Sequence, residues 1–395
     1  MFRSFINRAK SALMQVVAWV RGHFGETLAV RGDGAGEATS PVATPELAHE
    51  PLPEATATVD QTLAPPRWLE GTASSPQGRI PWVLTPPERN YRLYIPANDE
   101  TADQRPLLVM VHGCRQDAET FAAATRMNAL ADKHGFAVLY PDQSDTANLH
   151  RCWNWFETET LAKRGEVAIL LAMIDRAVKR SAADPENVAI AGLSSGGALA
   201  ALLAYSHPDR FSSVAVHSGL APHAADTVTR ALAVMRDGAD MSIAALTQRY
   251  WRNHQLPPPP LLVIHGDADD HVHPKNADQL FELWASLNQA ETNDPLPRRR
   301  QDVDADVNVT ANQRAYRVES IIAPESAPDR HDAQNTQGFK LVESVRVRGL
   351  KHAWSGGNEA LPFNDSLGPD ASALIVAFAR LDKQGVAANV SEINR

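Results

Sequence analysis

Val188-Ala-Ile-Ala-Gly192-Leu-Ser194-Ser-Gly196-Gly197-Ala-Leu-Ala-Ala-Leu-Leu203 carries three local signals in one stretch. The apolar run Val188–Ala191 predicts a buried strand, Gly192–Gly197 a sharp turn, and the Ala/Leu run through Ser206 a helix. Gly-x-Ser-x-Gly alone arises by chance, but between a strand and a helix it has a mechanical meaning. The glycines permit a turn tight enough to lift a serine hydroxyl above the strand ends, at a helix N-terminus. Ser194 is therefore the candidate nucleophile.

Short β-branched runs extend the pattern in both directions: Tyr91–Ile95, Leu107–Val111, Ala137–Tyr140, Val214–His217, Leu261–Ile264 and Ser344–Val347. Helical stretches lie between them, including Glu166–Lys179, Gly196–Ser206 and Asn276–Leu287. Strands alternating with helices predict an α/β domain over about 68–384, a mostly parallel, doubly wound sheet with helices on both faces. Arg314–Ile322 and Phe339–Val347 read as two strands joined by a long polar loop. The segment 288–312, polar and acidic without apolar period, reads as a surface insertion.

Ahead of the domain, Phe2, Phe5, Ile6, Ala9, Leu13, Val16, Val17, Val20 and Phe24 share one face of a helical wheel, flanked by Arg3, Arg8, Lys10 and Arg21. Residues 1–24 are thus expected to form an amphipathic basic helix. It would dock on the protein's own body or a partner helix, or on a polymer-granule or membrane surface. Residues 25–67, rich in Pro and Ala, suit a flexible linker, and 385–395 a C-terminal tail. Basic residues interrupt the apolar stretch and no small-x-small cleavage site follows, so no standard secretory signal is expected. Gln15 interrupts the best apolar run, and no membrane span is expected.

A formal charge of -9 gives no general attraction to phosphate backbones, and Arg298–Arg300 is isolated among acidic residues, so nucleic acid is not an expected partner. Two cysteines, Cys114 and Cys152, lack the number and spacing of a zinc site. No metal and no cofactor are expected.

A nucleophilic serine needs a base, and the base an orienting acid, in the chain order Ser, Asp/Glu, His for this kind of turn. The strand Leu261–Ile264 runs into His265-Gly-Asp-Ala-Asp269-Asp-His-Val272, which puts carboxylates where catalytic groups collect. Asp269 is favoured there, with Asp267 and Asp270 as alternatives that read as turn-forming side chains. After the last strand comes Gly349-Leu-Lys-His352-Ala-Trp-Ser-Gly356-Gly357, a glycine-rich loop able to fold back over the sheet. His352 is the candidate base, able to take the Ser194 proton and return it to a leaving alcohol. Donors for an oxyanion are expected from the Ser195 amide and from His112-Gly113-Cys114, with His112 itself supporting that loop.

Five ordered segments together resemble the polyhydroxybutyrate depolymerase-like esterase family of the α/β-hydrolase superfamily, which also holds feruloyl and acetylxylan esterases. They are Val111-His-Gly-Cys114-Arg-Gln116, Cys152-Trp-Asn-Trp-Phe156, Gly192-Leu-Ser-Ser-Gly-Gly197, His265-Gly-Asp-Ala-Asp269 with Val272 and Pro274, and His352-Ala-Trp-Ser-Gly-Gly357. The likeness runs from about Arg92 to Phe378. It implies a triad of Ser194, Asp269 and His352, oxyanion amides on Cys114 and Ser195, and a disulfide between Cys114 and Cys152. Trp153, Asn154, Trp155 and Trp354 are the candidate substrate-contacting residues, with packing as the alternative for the indoles. Lys351 departs from the small residue expected before the histidine.

The function implied is a serine carboxylic-ester hydrolase working through an acyl-enzyme on hydroxyalkanoate oligomers, polyester or related short-chain esters. A feruloyl or acetylxylan esterase is the alternative; a peptidase of the same fold and a non-catalytic polymer-surface binder are more distant ones. No clear polymer-binding module follows the domain, which favours soluble esters or oligomers over a crystalline polymer. The cysteine pair and the resemblance favour an extracellular or periplasmic setting, the missing signal a cytoplasmic one.

Overall fold

The computed structural model describes residues 63–75, 88–99, 104–292, 295–303, 313–323 and 339–382. The expected helix 1–24, the linker up to residue 62 and the tail 385–395 lie outside the described residues, as does the loop 324–338.

One ten-stranded sheet organises the domain. Its strands in chain order are β1 (Arg67–Ser74), β2 (Glu88–Ile95), β3 (Arg105–Val111), β4 (Ala137–Asp142), β5 (Ala183–Leu193), β6 (Ser213–His217), β7 (Leu261–Gly266), β8 (Arg298–Val303), β9 (Tyr316–Ile322) and β10 (Lys340–Val347). Across the sheet they run β8-β9-β10-β7-β6-β5-β3-β4-β2-β1. The stretch from β10 to β4 is parallel throughout. The margins, β8 with β9 and β1 with β2, are antiparallel.

Strand β3 shows how the sheet divides two cores. Leu107 to Val111 are all fully buried, and the pleat sends alternate side chains to opposite faces. Leu107, Val109 and Val111 join one core with Leu170 and Ile174 of helix α3 (Gly165–Ser181) and Leu199 and Leu203 of α4 (Ser195–Ser206). Leu108 and Met110 join the other with Phe121 of α1 (Ala118–Thr125), Met127 of α2 (Met127–His134) and Leu374 of α8 (Ala371–Phe378). Each such side chain contributes roughly 1.5–3 kcal/mol when removed from water. The sequence of α4 is apolar all round, and every one of its residues is buried, as a helix without a polar face must be.

Two helices that the sequence reading does not name, α5 (Val228–Asp237) and α6 (Ile243–Asn253), fill the β6–β7 crossover, with α7 (Lys275–Gln289) leading out of β7. Thr227 and Ser242 cap their N-termini. Residues 298–303, read from sequence within a polar insertion, form the edge strand β8 instead of a loop. Residues 298–302 are exposed, and three of them are in ion pairs: Arg298 with Glu282 at 2.8 Å, Arg300 with Glu319 at 2.9 Å and Asp302 with Arg317 at 2.6 Å. A charged edge needs no apolar alternation and resists pairing with another chain. No helix among the described residues is long and apolar enough to cross a membrane.

The parallel centre matters most for the site. Strands β3, β5, β7 and β10 all point the same way, and their carboxyl ends lead into Cys114, Ser194, Asp269 and His352 respectively.

Candidate active site

Ser194 occupies the turn between β5 and α4 with φ 56° and ψ -119°, a conformation that costs a non-glycine residue on the order of 1–3 kcal/mol. The surrounding chain holds it there. The Ser194 amide donates to the His217 carbonyl at the end of β6, 2.9 Å away. Behind it, a Cβ on Gly196 would lie 2.3 Å from the Val111 carbonyl oxygen, so only glycine lets α4 start this close to β3.

The expected acid and base stand on the loops after β7 and β10. The His352 Nδ1 lies 2.9 Å from Asp269 Oδ2 and 3.1 Å from Oδ1. A carboxylate only accepts, so Nδ1 carries the proton and Nε2 is the basic nitrogen. Asp269 also accepts the His271 and Val272 amides at 3.0 and 2.8 Å. Burial pushes its carboxyl up, but the charge and hydrogen bond of His352, with His265 and the Val272 amide, hold it well below the usual carboxylate range.

The three neighbouring carboxylates divide by geometry. Asp267 accepts the Gly349 amide at 2.6 Å and so joins the two loops, while Asp270 is exposed and sits 2.7 Å from His271 Nδ1. Only Asp269 reaches His352. The His271 ring stacks on that of His352, with centroids 4.9 Å apart and planes at 15°. Asp269, Asp270 and His271 bring ligand-type atoms within 4.8 Å of one another, but His352 and the loop amides already engage the Asp269 oxygens.

The opposite side is a braced turn. Cys114, after β3, is joined to Cys152 by a disulfide. The Ser195 hydroxyl accepts the Trp153 amide at 3.3 Å and lies 3.4 Å from Cys114 Sγ, so the two residues expected to offer oxyanion amides are tied through one side chain. His112 is fully buried; it accepts the Gln143 amide on Nε2 at 3.1 Å and donates from Nδ1 to the Gly113 carbonyl at 2.7 Å. Burial lowers its pKa to about 4, so it is neutral at pH 7 and serves the loop.

Trp153, Asn154, Trp155 and Trp354, the candidate substrate contacts, are 0, 6, 4 and 0% exposed. The Trp153 indole N–H donates to the His112 carbonyl at 3.1 Å, and that of Trp354 to Ser372 Oγ at 3.2 Å. The Asn154 side chain donates to Glu166 Oε1 at 3.0 Å, while its amide donates to Oε2 at 2.6 Å. Trp153, Asn154 and Trp354 thus engage their polar tips inside the protein, as groups this deep must.

Sequence reasoning did not single out the residues behind them. Buried Glu166 also receives Gln143 Nε2 at 2.5 Å, and Gln143 in turn accepts Arg89 Nε at 2.5 Å. Burial raises the Glu166 pKa against the pull of its hydrogen bonds and of Arg89. Glu166 stands in the first turn of α3, where an acidic residue is ordinary, so its burial had no local signal. His217 and His271 were also passed over, though a histidine ending the buried run Val214–His217 is itself a polar residue in need of partners.

A family model described as Esterase PHB depolymerase matches residues 89–303, over half of the chain. Among curated proteins, poly(3-hydroxyalkanoate) depolymerase C of Paucimonas lemoignei is 32% identical over 251 residues, 62% of this chain and 54% of that protein. Feruloyl esterase B of Neurospora crassa is 26% identical over 227 residues, 55% of this chain and 76% of that protein. The acetyl xylan esterase from Aspergillus awamori, a solved structure, superposes with a TM-score of 0.51 at 18% identity, covering 67% of this chain and 89% of that one, a likeness of fold. The match spans about half the length of the first of these relatives.

Proposed function

We propose, from the premise that this chain belongs to the esterase PHB depolymerase family, that it is a serine carboxylic-ester hydrolase with Ser194 as nucleophile, His352 as base and Asp269 as orienting acid. The observation that carries the reading is the buried His352–Asp269 pair at 2.9 Å, on the same sheet end as a serine held at φ 56°. In this reading the Ser194 hydroxyl attacks an ester carbonyl while His352 Nε2 takes its proton. The Cys114 and Ser195 amides receive the developing oxyanion. The protonated His352 then gives its proton to the leaving alcohol, and water repeats the sequence to release the acid.

The relative at 32% identity is named for poly(3-hydroxyalkanoate) and the one at 26% for feruloyl esters, so hydroxyalkanoate oligomers or polyester are the first substrate class and feruloyl or acetylxylan esters the second. A p-nitrophenyl ester chain-length series, run beside hydroxybutyrate oligomers and methyl ferulate, separates them. Turnover of methyl ferulate well above that of the oligomers would reverse the order. Ser194→Ala should lower kcat by about 10⁶ with the fold intact. A variant keeping more than a few per cent of the activity would remove Ser194 from the nucleophile's role.

A further inference from the structure

We infer that His217 is a positioning residue that ties the nucleophile to the loop bearing the base, through its carbonyl on one side and its ring acceptor nitrogen on the other. The inference rests on the esterase reading and deepens it. His217 ends β6, the strand between β5 and β7, and in register it faces Leu193 and Ile264. Its carbonyl accepts the Ser194 amide at 2.9 Å. Its Nε2 accepts the Ser355 amide at 3.1 Å, on the loop that also carries His352.

The ring has a second hold on that loop. It stacks on Trp354 with centroids 5.1 Å apart and planes at 22°, and Trp354 is fixed in turn by Ser372 and by an edge-on contact with Phe121. His217 is 1% exposed and Ser355 0%, so the Ser355 N–H has no access to water and depends on the histidine for its partner. Burial, followed by the nearby His265 and His352, lowers the His217 pKa to about 3. The ring therefore stays neutral, with Nδ1 protonated 3.2 Å from Ser218 Oγ and Nε2 kept as acceptor.

One residue thus sets where the His352 loop stands relative to Ser194, by its backbone on one side and its ring on the other, without touching the reacting atoms. Displacing a reacting group by about 1 Å costs on the order of 10² in rate. A planar ring is suited to both tasks, since it accepts at its edge and stacks with its face.

The test compares His217→Gln, whose Oε1 can take the Ser355 amide, with His217→Leu, which cannot. Both are made in the full chain and checked by circular dichroism melting, with Ser194→Ala as the control. His217→Leu should lose about 100-fold in kcat with KM within about threefold, because substrate contacts are untouched. His217→Gln should recover to within about tenfold of the parent protein. If His217→Leu does not fold, His217→Met, similar in volume but a weak acceptor, takes its place in the same comparison.

An unchanged kcat in His217→Leu would overturn the inference, and so would equal impairment of the Gln and apolar variants, which would mean bulk packing alone. A parent protein inert to esters and unlabelled at Ser194 by a fluorophosphonate would instead overturn the esterase reading, and this inference with it.

Discussion

The two sides of the site are fastened by different means. On the oxyanion side, a disulfide closes Cys114 onto Cys152, the Ser195 hydroxyl meets both strands of that turn, and a buried Glu166 receives the Asn154 amide from behind. On the acid–base side no covalent link joins the loops of Asp269 and His352. They are held by Asp267 on the Gly349 amide, by the His352–Asp269 pair and by the His271 stack. The difference follows the work expected of each side. Amide dipoles that receive an oxyanion act best when they do not reorganise. A base that takes a proton and gives it back changes charge twice per turnover, and hydrogen bonds that strengthen with that charge suit it better than a staple.

The largest test of this contrast is Asp269→Asn. It preserves shape but removes the carboxylate whose hydrogen bond orients the His352 ring, so kcat should fall by about 10⁴, and the melting temperature should fall as well, because the ionised group stabilises the folded state at neutral pH. A loss under tenfold would mean that the stack and backbone suffice to orient the ring.

On the other side, Cys114→Ser with Cys152→Ser should act on both stability and turnover. Opening a cross-link with a sequence separation of 38 should cost roughly 4 kcal/mol in the chain-entropy model. If the Cys114 amide is a donor, kcat should also fall, by up to about 10² to 10³, when measured well below the melting temperature. Unchanged turnover with lowered stability would make the bridge a staple only.

The smallest effect is in acid response, and it sets the two buried carboxylates against each other. The Asp269 pKa is lowered, so its contribution to stability is present above the ordinary 3.8 and lost as pH falls through its folded value. His265, lowered to about 4 by burial, adds a loss as pH falls from 6.5, and His271, also lowered by burial, acts in the same direction. Across the site His112 behaves likewise, but Glu166 opposes it. Its raised pKa means that the folded protein binds a proton before the unfolded chain does, which adds stability as pH falls toward 4.5. Hydrogen-exchange protection, corrected for intrinsic rate, should therefore decline at a higher pH for the Val272 amide on Asp269 than for the Asn154 amide on Glu166. The reverse order would break the contrast.

Much of this was legible before any coordinates. The parallel strands could be read because strands buried on both faces are continuous apolar runs, such as Leu107–Val111 and Leu261–Ile264. The turn at Ser194 could be read because it needs glycines at set positions, and the places of Asp269 and His352 because each follows a strand. The edge strand β8 was hidden by its chemistry: Arg298, Arg299 and Arg300 face water, and their partners Glu282 and Glu319 are distant in sequence. The roles of Trp153, Asn154 and Trp354 were hidden for another reason. Local sequence marks an aromatic cluster, but whether an indole faces a cavity or a carbonyl depends on segments such as Gln143, Glu166 and Ser372 that only folding brings near.

Gly196 has a consequence at the level of the gene. Any single-base change in a glycine codon that alters the amino acid and does not end the chain introduces a residue with a Cβ, and here that atom would sit 2.3 Å from the Val111 carbonyl oxygen. The spacing between the helix after Ser194 and the strand leading to Cys114 therefore has no near mutational neighbours through which to drift. Variation has to be written elsewhere, at exposed positions such as Leu149, where a side chain can change without moving the sheet.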